Sequence, residues 1–181
     1  HLELARDVAQ RFNQKYGELF SIPEPYIPKV GAKVMSLQEP AKKMSKSDDN
    51  PNACILILDD EDTIIRKFKR AVTDSDAEIR YAEGKDGINN LITILSAVTG
   101  DSFETIERDF SGKGYGDFKL AVGEAVSEHL KPVRENFSKL MEDKEYLKKC
   151  YTDGAEKALR MSQKIVSKAY RKVGFVDFPL K

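Results

Sequence analysis

Five consecutive residues, Lys43-Met44-Ser45-Lys46-Ser47, place two ammonium groups and two hydroxyls in one short stretch, and Lys42 adds a further charge just before it. These are the residue types that bind anions. Lysines supply mobile point charges for phosphate, and serine hydroxyls with neighbouring backbone N–H groups can close around the same oxygens. Composition alone would make the run a solvated surface loop. Two features set it apart: Met44 sits among the charges with no helical or strand period to place it there, and Asp48 and Asp49 end the run abruptly.

The stretch that must position this loop is Gly31 to Asn50, GAKVMSLQEPAKKMSKSDDN, where Val34 and Met35 are expected in a strand or tight turn. Ahead of it, Pro23, Pro25 and Pro28 forbid helix and predict an extended segment. Earlier still, apolar residues at Leu4, Ala5, Val8, Ala9 and Phe12 predict a helix from about Leu2 to Tyr16, stopped by Gly17. That pattern is already running at Leu4, with no initiator Met and no capping residue, so the chain is expected to be a piece of a longer protein. After the loop, Asn50-Pro51-Asn52 is turn chemistry. Ala53 to Leu58 is an apolar run that fits a strand or one buried helical turn, and periodicity does not decide between them.

From Asp59 the period is helical. Asp59 to Asp62 suit a helix start, followed by the apolar stripe of Ile64, Ile65, Phe68 and Val72. Gly84 and Gly87 are expected to break the chain before Ile88 to Val98, which should be the most buried helix. A short helix capped by Asp101 or Ser102 follows, then a long one from the Gly112–Gly116 turns, with Pro132 as a kink or a fresh start, and a last helix from about Asp153 to Val173. The fold class expected is mostly α. Residues 1–58 would be the C-terminal remnant of a larger domain, and 59–181 an antiparallel bundle of roughly five helices.

Composition narrows the function classes. With 30 basic and 30 acidic residues the formal net charge is zero, which excludes a polybasic protein and makes any nucleic-acid surface local. No apolar run reaches the roughly 18 residues of a membrane span, and the first residues lack a signal-like apolar core, so a cytoplasmic location without a membrane partner is expected. Cys54 and Cys150 are distant and lack a CxxC partner, so both are expected as small buried apolar side chains, and no metal site is expected. Gly112, Gly114 and Gly116 do not have GxGxxG spacing after a strand and read as interhelix turns. His1 and His129 are unpartnered. The basic sets Arg66, Lys67, Lys69, Arg70 and Lys157, Arg160, Lys164, Lys168, Arg171, Lys172 read either as solvated helix faces or as phosphate contacts.

The pentapeptide Lys43 to Ser47 resembles the KMSKS signature of class I aminoacyl-tRNA synthetases, and its flanks are more specific. Pro28-Lys29-Val30-Gly31-Ala32, Val34-Met35-Ser36-Leu37, Pro40, Lys42 and Asp48-Asp49-Asn50 resemble the bacterial tryptophanyl-tRNA synthetases. So do HLELARDVAQRFN at the start, Ala71 to Ser75, Gly112 to Lys119 and Gly154 to Ala158. Two positions depart from the pattern: Asp49 and Asp86 stand where the family usually has proline. Neither removes a charged ligand, although the first would make the loop's exit more flexible.

The resemblance implies a Rossmann-type catalytic domain ending in residues 1–58, with the KMSKS loop, and a helical anticodon-binding domain over 59–181. It implies that ATP meets Val34 at its adenine and Lys43, Met44, Ser45, Lys46 and Ser47 at its phosphates, with Lys43 and Lys46 catalytic and Mg²⁺ carried by the phosphates. L-tryptophan and tRNA(Trp) would be the other substrates and a homodimer the full-length assembly. The piece by itself would be inactive, because the HIGH-like signature and the tryptophan pocket lie outside it. A tyrosyl-type synthetase is the nearest alternative, and a non-catalytic tRNA- or RNA-binding helical module is the more distant one. The lysines retained in the loop weigh against the second.

Overall fold

Six helices form where the sequence changes period: α1 (Leu2–Tyr16), α2 (Glu61–Lys69), α3 (Asp86–Thr99), α4 (Phe103–Asp109), α5 (Tyr115–Glu142) and α6 (Lys144–Val173). They are seen in a computed structural model that describes residues 1–28 and 31–175, so Lys29 and Val30 of the resembling segment lie outside the described residues. The class is mostly α: among the described residues the extended pairing is a single antiparallel bridge between Met35 and Lys43. The chain divides into two compact units, residues 1–27 with 140–181, and residues 28–139. The second runs through position 58.

In the first unit, α1 ends at Gly17 as its sequence predicts. The Asn13 side chain then holds the turn, its Oδ1 accepting from the N–H groups of Leu19 and Phe20 at 3.0 Å each. Leu4 and Val8 stay well exposed on α1. Helix α6 begins at Lys144, nine residues before the expected Asp153, because Asp143 caps it by accepting from the Tyr146 N–H at 2.9 Å. It buries none of its residues, and Cys150 is exposed instead of buried.

The second unit holds the core. Ile64 and Phe68 of α2, Ile88, Leu91 and Ile92 of α3, Ile106 of α4, and Phe118 and Val122 of α5 are almost wholly removed from water, joined by Leu37 from the lysine-loop segment. Burying each such side chain stabilises the fold by about 1.5–3 kcal/mol before entropy is counted. Helix starts follow local chemistry: the Asp60 carboxylate caps α2 through the Thr63 N–H, and the Ser102 hydroxyl caps α4 through the Thr105 N–H. Gly123 lets α5 approach α2 closely, since a Cβ there would lie 3.1 Å from the Ile65 Cα. Pro132 lies inside an unbroken α5. Gly87 does not break the chain; it is buried in the first turn of α3.

Ala53 to Leu58 is neither strand nor helical turn. Ala53 is buried, but Leu56, Ile57 and Leu58 are about half exposed. Its polar groups are met by turns and side chains: Leu56 N–H donates to Asp59 Oδ2 at 2.9 Å, and Lys67 donates to the Cys54 carbonyl at 2.9 Å.

Lys85, Asp74 and Tyr115 tie the 71–76 segment to α3 and α5. Lys85, only 5% exposed, donates to Asp74 Oδ1 at 3.0 Å and to the Tyr115 hydroxyl at 3.1 Å, while that hydroxyl donates to Asp74 at 2.5 Å. Burial alone would raise the Asp74 pKa, but the hydrogen bonds from Tyr115, the Asp76 N–H and Lys85 outweigh it and hold the carboxyl at about 2, against an ordinary 3.8. Because the folded value is the lower one, the stabilisation is full above pH ~4 and is lost as pH falls through about 2. Tyr115→Phe removes the shortest of these bonds, so its stability should depend less on pH between about 4 and 2 than the parent's. Denaturant midpoints by circular dichroism across that range check this; parallel curves would reject the network as an acid-sensitive tie.

Candidate functional site

The lysine loop is closed by backbone bonds on both sides of the Met35–Lys43 bridge. Ser36 N–H donates to the Lys42 carbonyl at 2.8 Å, and Met44 N–H donates to the Val34 carbonyl at 3.0 Å. Within the closed turn, the buried Ser36 hydroxyl accepts from the N–H groups of Gln38 and Glu39 at 3.3 and 3.2 Å. Leu37 fastens the base to the core: its N–H donates to Ala53 O at 3.0 Å, and its carbonyl accepts from Val72 N–H at 2.7 Å. Beyond the bridge the chain leaves through successive side-chain turns. Ser45 Oγ accepts from Ser47 N–H at 3.2 Å, Asp48 Oδ1 from Asn50 N–H at 2.9 Å, and Asn50 Oδ1 from Asn52 N–H at 3.0 Å.

This geometry explains Met44. Its half-buried side chain packs against the core cluster, as does that of Val34. Both border an apolar cavity of about 210 Å³, walled by Ile55, Phe68, Ile94 and Val126, with the exposed His129 also on its lining. Lys43, Ser45, Lys46 and Ser47 are exposed on either side of Met44. A hydrophobic peg thus holds a polar loop whose charges face water.

The lysines are not equivalent. Lys42 is paired with Glu39 at 2.5 Å, and its hydrogen bond to that carboxylate raises its pKa above the ordinary value. Among the described residues Lys43 and Lys46 form no ion pair. They are the lysines of the pentapeptide, and both are exposed.

Elsewhere the structure separates residues that the sequence groups together. Lys67 is only 6% exposed and sits 2.5 Å from Asp59, so it is a structural cation and not a phosphate contact, while Arg66, Lys69 and Arg70 remain exposed. On α6, Arg160, Lys164, Lys168 and Arg171 line one shallow groove of about 450 Å³ with Gln163 and Ser167. Lys172 instead donates to the Tyr16 carbonyl at 3.2 Å. No group of three His, Cys, Asp or Glu among the described residues could hold a metal ion, and no described helix is long and apolar enough to cross a membrane.

One residue of the site region escapes sequence reading. Asn90, in the middle of the apolar α3 and 5% exposed, accepts from Met35 N–H and donates to Met35 O, both at 2.9 Å. The only signal in the sequence is a carboxamide at a position whose period calls for an apolar side chain.

A sequence profile described as "tRNA synthetases class I (W and Y)" matches residues 1–131. Among curated proteins, the tryptophan–tRNA ligases of Wolinella succinogenes and Clostridium acetobutylicum are each 50% identical over 176 residues, covering 97% of this chain and 54% and 52% of their own lengths. The chain therefore spans about half the length of the curated relatives it matches. Among solved structures, tryptophanyl-tRNA synthetase from Mycoplasma pneumoniae is similar over 97% of this chain and 53% of its own, with 31% identity and a TM-score of 0.85. The Campylobacter jejuni enzyme, solved with ADP and tryptophan, covers 97% of this chain and 54% of its own at 31% identity and a TM-score of 0.65.

Proposed function

Because the chain belongs to the family of class I tRNA synthetases for W and Y, we propose that it is part of a tryptophan–tRNA ligase. In that reaction the carboxylate of L-tryptophan attacks the α-phosphate of ATP, pyrophosphate leaves, and the tryptophanyl group of the adenylate passes to tRNA(Trp). Residues 1–58 would belong to the catalytic domain and 59–181 to the anticodon-binding domain. The observation that carries the reading is the Lys43-Met44-Ser45-Lys46-Ser47 loop, fixed at its base and through Met44, whose exposed Lys43 and Lys46 form no ion pair among the described residues.

Negative charge grows on the leaving pyrophosphate during activation. Ammonium groups that meet it late stabilise the transition state more than bound ATP, and so raise the rate and not merely the affinity. Lys43 and Lys46 fill that role, with Ser45 and Ser47 beside them. Val34 takes the adenine end, where an apolar side chain with flanking backbone suits a flat base. Mg²⁺ travels with the ATP phosphates and water. The basic groove on α6 suits the phosphate backbone of tRNA, which gives affinity without base specificity.

The full-length protein is read as a cytoplasmic homodimer, and the present piece as inactive alone, since the tryptophan pocket and the HIGH-like signature lie outside its residues. The test is ATP–pyrophosphate exchange by the full-length protein that carries this chain. Tryptophan should drive the exchange and tyrosine should not. Exchange driven by tyrosine alone would assign the sister specificity, and exchange with neither amino acid would leave a non-catalytic RNA-binding helical module as the better reading.

A further inference from the structure

Asn90 forms the second edge of the strand-like segment from which the lysine loop hangs. In an extended segment successive residues turn their backbone polar groups to opposite sides. Here Val34 O and Ser36 N–H face the loop, bonding Met44 and Lys42, while Met35 N–H and O face α3. On that side Asn90 presents a carboxamide, the same donor–acceptor pair as a peptide unit, and meets both groups at 2.9 Å. A side-chain amide takes the place of a neighbouring strand.

The position is an expensive one for asparagine. Burying an amide is costly unless its hydrogen bonds are restored, and asparagine is a poorer helix former than the leucines around it. Leu91, Ile92, Ile94 and Leu95 show what this stretch of α3 otherwise buries. Asn90 supplies instead a two-point register for the Met35 backbone, and through the Met35–Lys43 bridge for the lysine loop. Its neighbour Asn89 makes a similar bidentate contact with Ala82, whose N–H donates at 3.0 Å and whose carbonyl accepts at 2.7 Å, fastening the segment that enters α3.

We propose that Asn90 is a positioning residue for nucleotide activation. It touches no ligand; it sets where Val34 and the Lys43–Ser47 loop stand relative to each other and to the α3 scaffold. The inference rests on the assignment of this loop to ATP. Misplacement of a reacting group by about 1 Å can lower a rate on the order of a hundredfold, and a slipped strand edge moves the loop by at least that much.

Next to the clasp lies a cavity of about 270 Å³, bordered by Lys33, Met35, Pro40, Tyr81, Asp86 and Asn90 among others. It makes two substitutions informative. Asn90→Ala opens space through which water can reach the Met35 N–H and carbonyl, whereas Asn90→Leu fills the space and leaves both unmet. The experiment uses the full-length protein, measuring exchange kinetics with ATP and with tryptophan varied in turn, beside amide hydrogen exchange at Met35, Ser36 and Met44. Ile92→Val, a buried change on the same helix, is the control for lost stability.

Asn90→Leu should lower kcat/KM for ATP by about a hundredfold and leave the KM for tryptophan within about twofold, with faster amide exchange at all three sites. Asn90→Ala should fall between Asn90→Leu and the parent, and Ile92→Val should stay near the parent. Wild-type kcat/KM for ATP in Asn90→Leu, or a loss confined to a raised KM for tryptophan, would overturn the inference while leaving the ligase reading intact. An inactive parent enzyme would instead reject the ligase reading, and the amide exchange would still report whether Asn90 holds the loop. If Asn90→Leu fails to fold, Asn90→Asp, which keeps the acceptor for Met35 N–H and loses the donor, decides: unchanged kinetics and exchange would count against the clasp.

Discussion

Lys46→Ala in the full-length protein is expected to slow tryptophan-dependent ATP–pyrophosphate exchange about a hundredfold, with the loss in kcat and little change in the KM for tryptophan. The magnitude is that of one preorganised charge withdrawn from a transition state, about 3 kcal/mol. The loss should appear in kcat because the ammonium group is proposed to meet charge that grows only as pyrophosphate departs; a contact made equally well to bound ATP would change KM alone. The structure supplies an internal comparison. Lys42 stands next to the pentapeptide and is also exposed, but is already paired with Glu39 at 2.5 Å. Lys42→Ala should change the rate by no more than about fivefold, the scale of one exposed ion pair. Equal effects at Lys42 and Lys46 would mean that the loop acts through its summed charge and not through placed groups. An unchanged rate in Lys46→Ala would remove the catalytic role altogether.

Gly87→Ala is expected to cause the largest loss of stability from the smallest change. A Cβ at this position would lie 2.1 Å from the Val72 carbonyl oxygen and 3.0 Å from the Thr73 Cα. Both atoms are backbone, so no rotamer can relieve the overlap. The Val72–Thr73 backbone cannot simply retreat either, because Val72 N–H donates to the Leu37 carbonyl at 2.7 Å at the base of the lysine loop. Overpacking of this kind costs about 1–3 kcal/mol where side chains can yield, and more where they cannot. More than about 3 kcal/mol is expected here, a fall in melting temperature of roughly 10 °C or more. Gly114→Ala is the control: a Cβ there meets nothing within 4 Å, so the change should be neutral or mildly stabilising. Calorimetry on the two variants tests the pair, and equal melting temperatures would show that α3 can shift away from the 72–73 segment. The displacement should also reach the site, since the same helix carries Asn90.

The elements were legible where periodicity and capping agree. Helix α1 ends at Gly17 as expected, α3 is the most buried helix, and the mostly α class follows from the long 3.6-residue patterns after Asp59. Reading failed where a residue's environment comes from far along the chain. Ala53 to Leu58 has the composition of a strand but finds no partner strand among the described residues, and its polar groups are met by Asp59 and Lys67. Lys67 belongs by composition to a solvated cluster, yet its side chain is buried beside Asp59. Cys150 was expected inside and is exposed, since α6 buries none of its residues.

The identity and order of the charged groups at Lys43 to Ser47 are properties of the chain itself, and they carry the family resemblance because phosphate chemistry needs those residue types in close succession. Which lysines stay available, why a methionine sits among them and what holds their backbone in register are decided only by packing. Glu39 occupies Lys42, the core receives Met44, and Asn90, 55 residues after Met35, completes the strand edge. Such contacts depend on where α3 lies in space, and residue order alone does not place a helix against a loop.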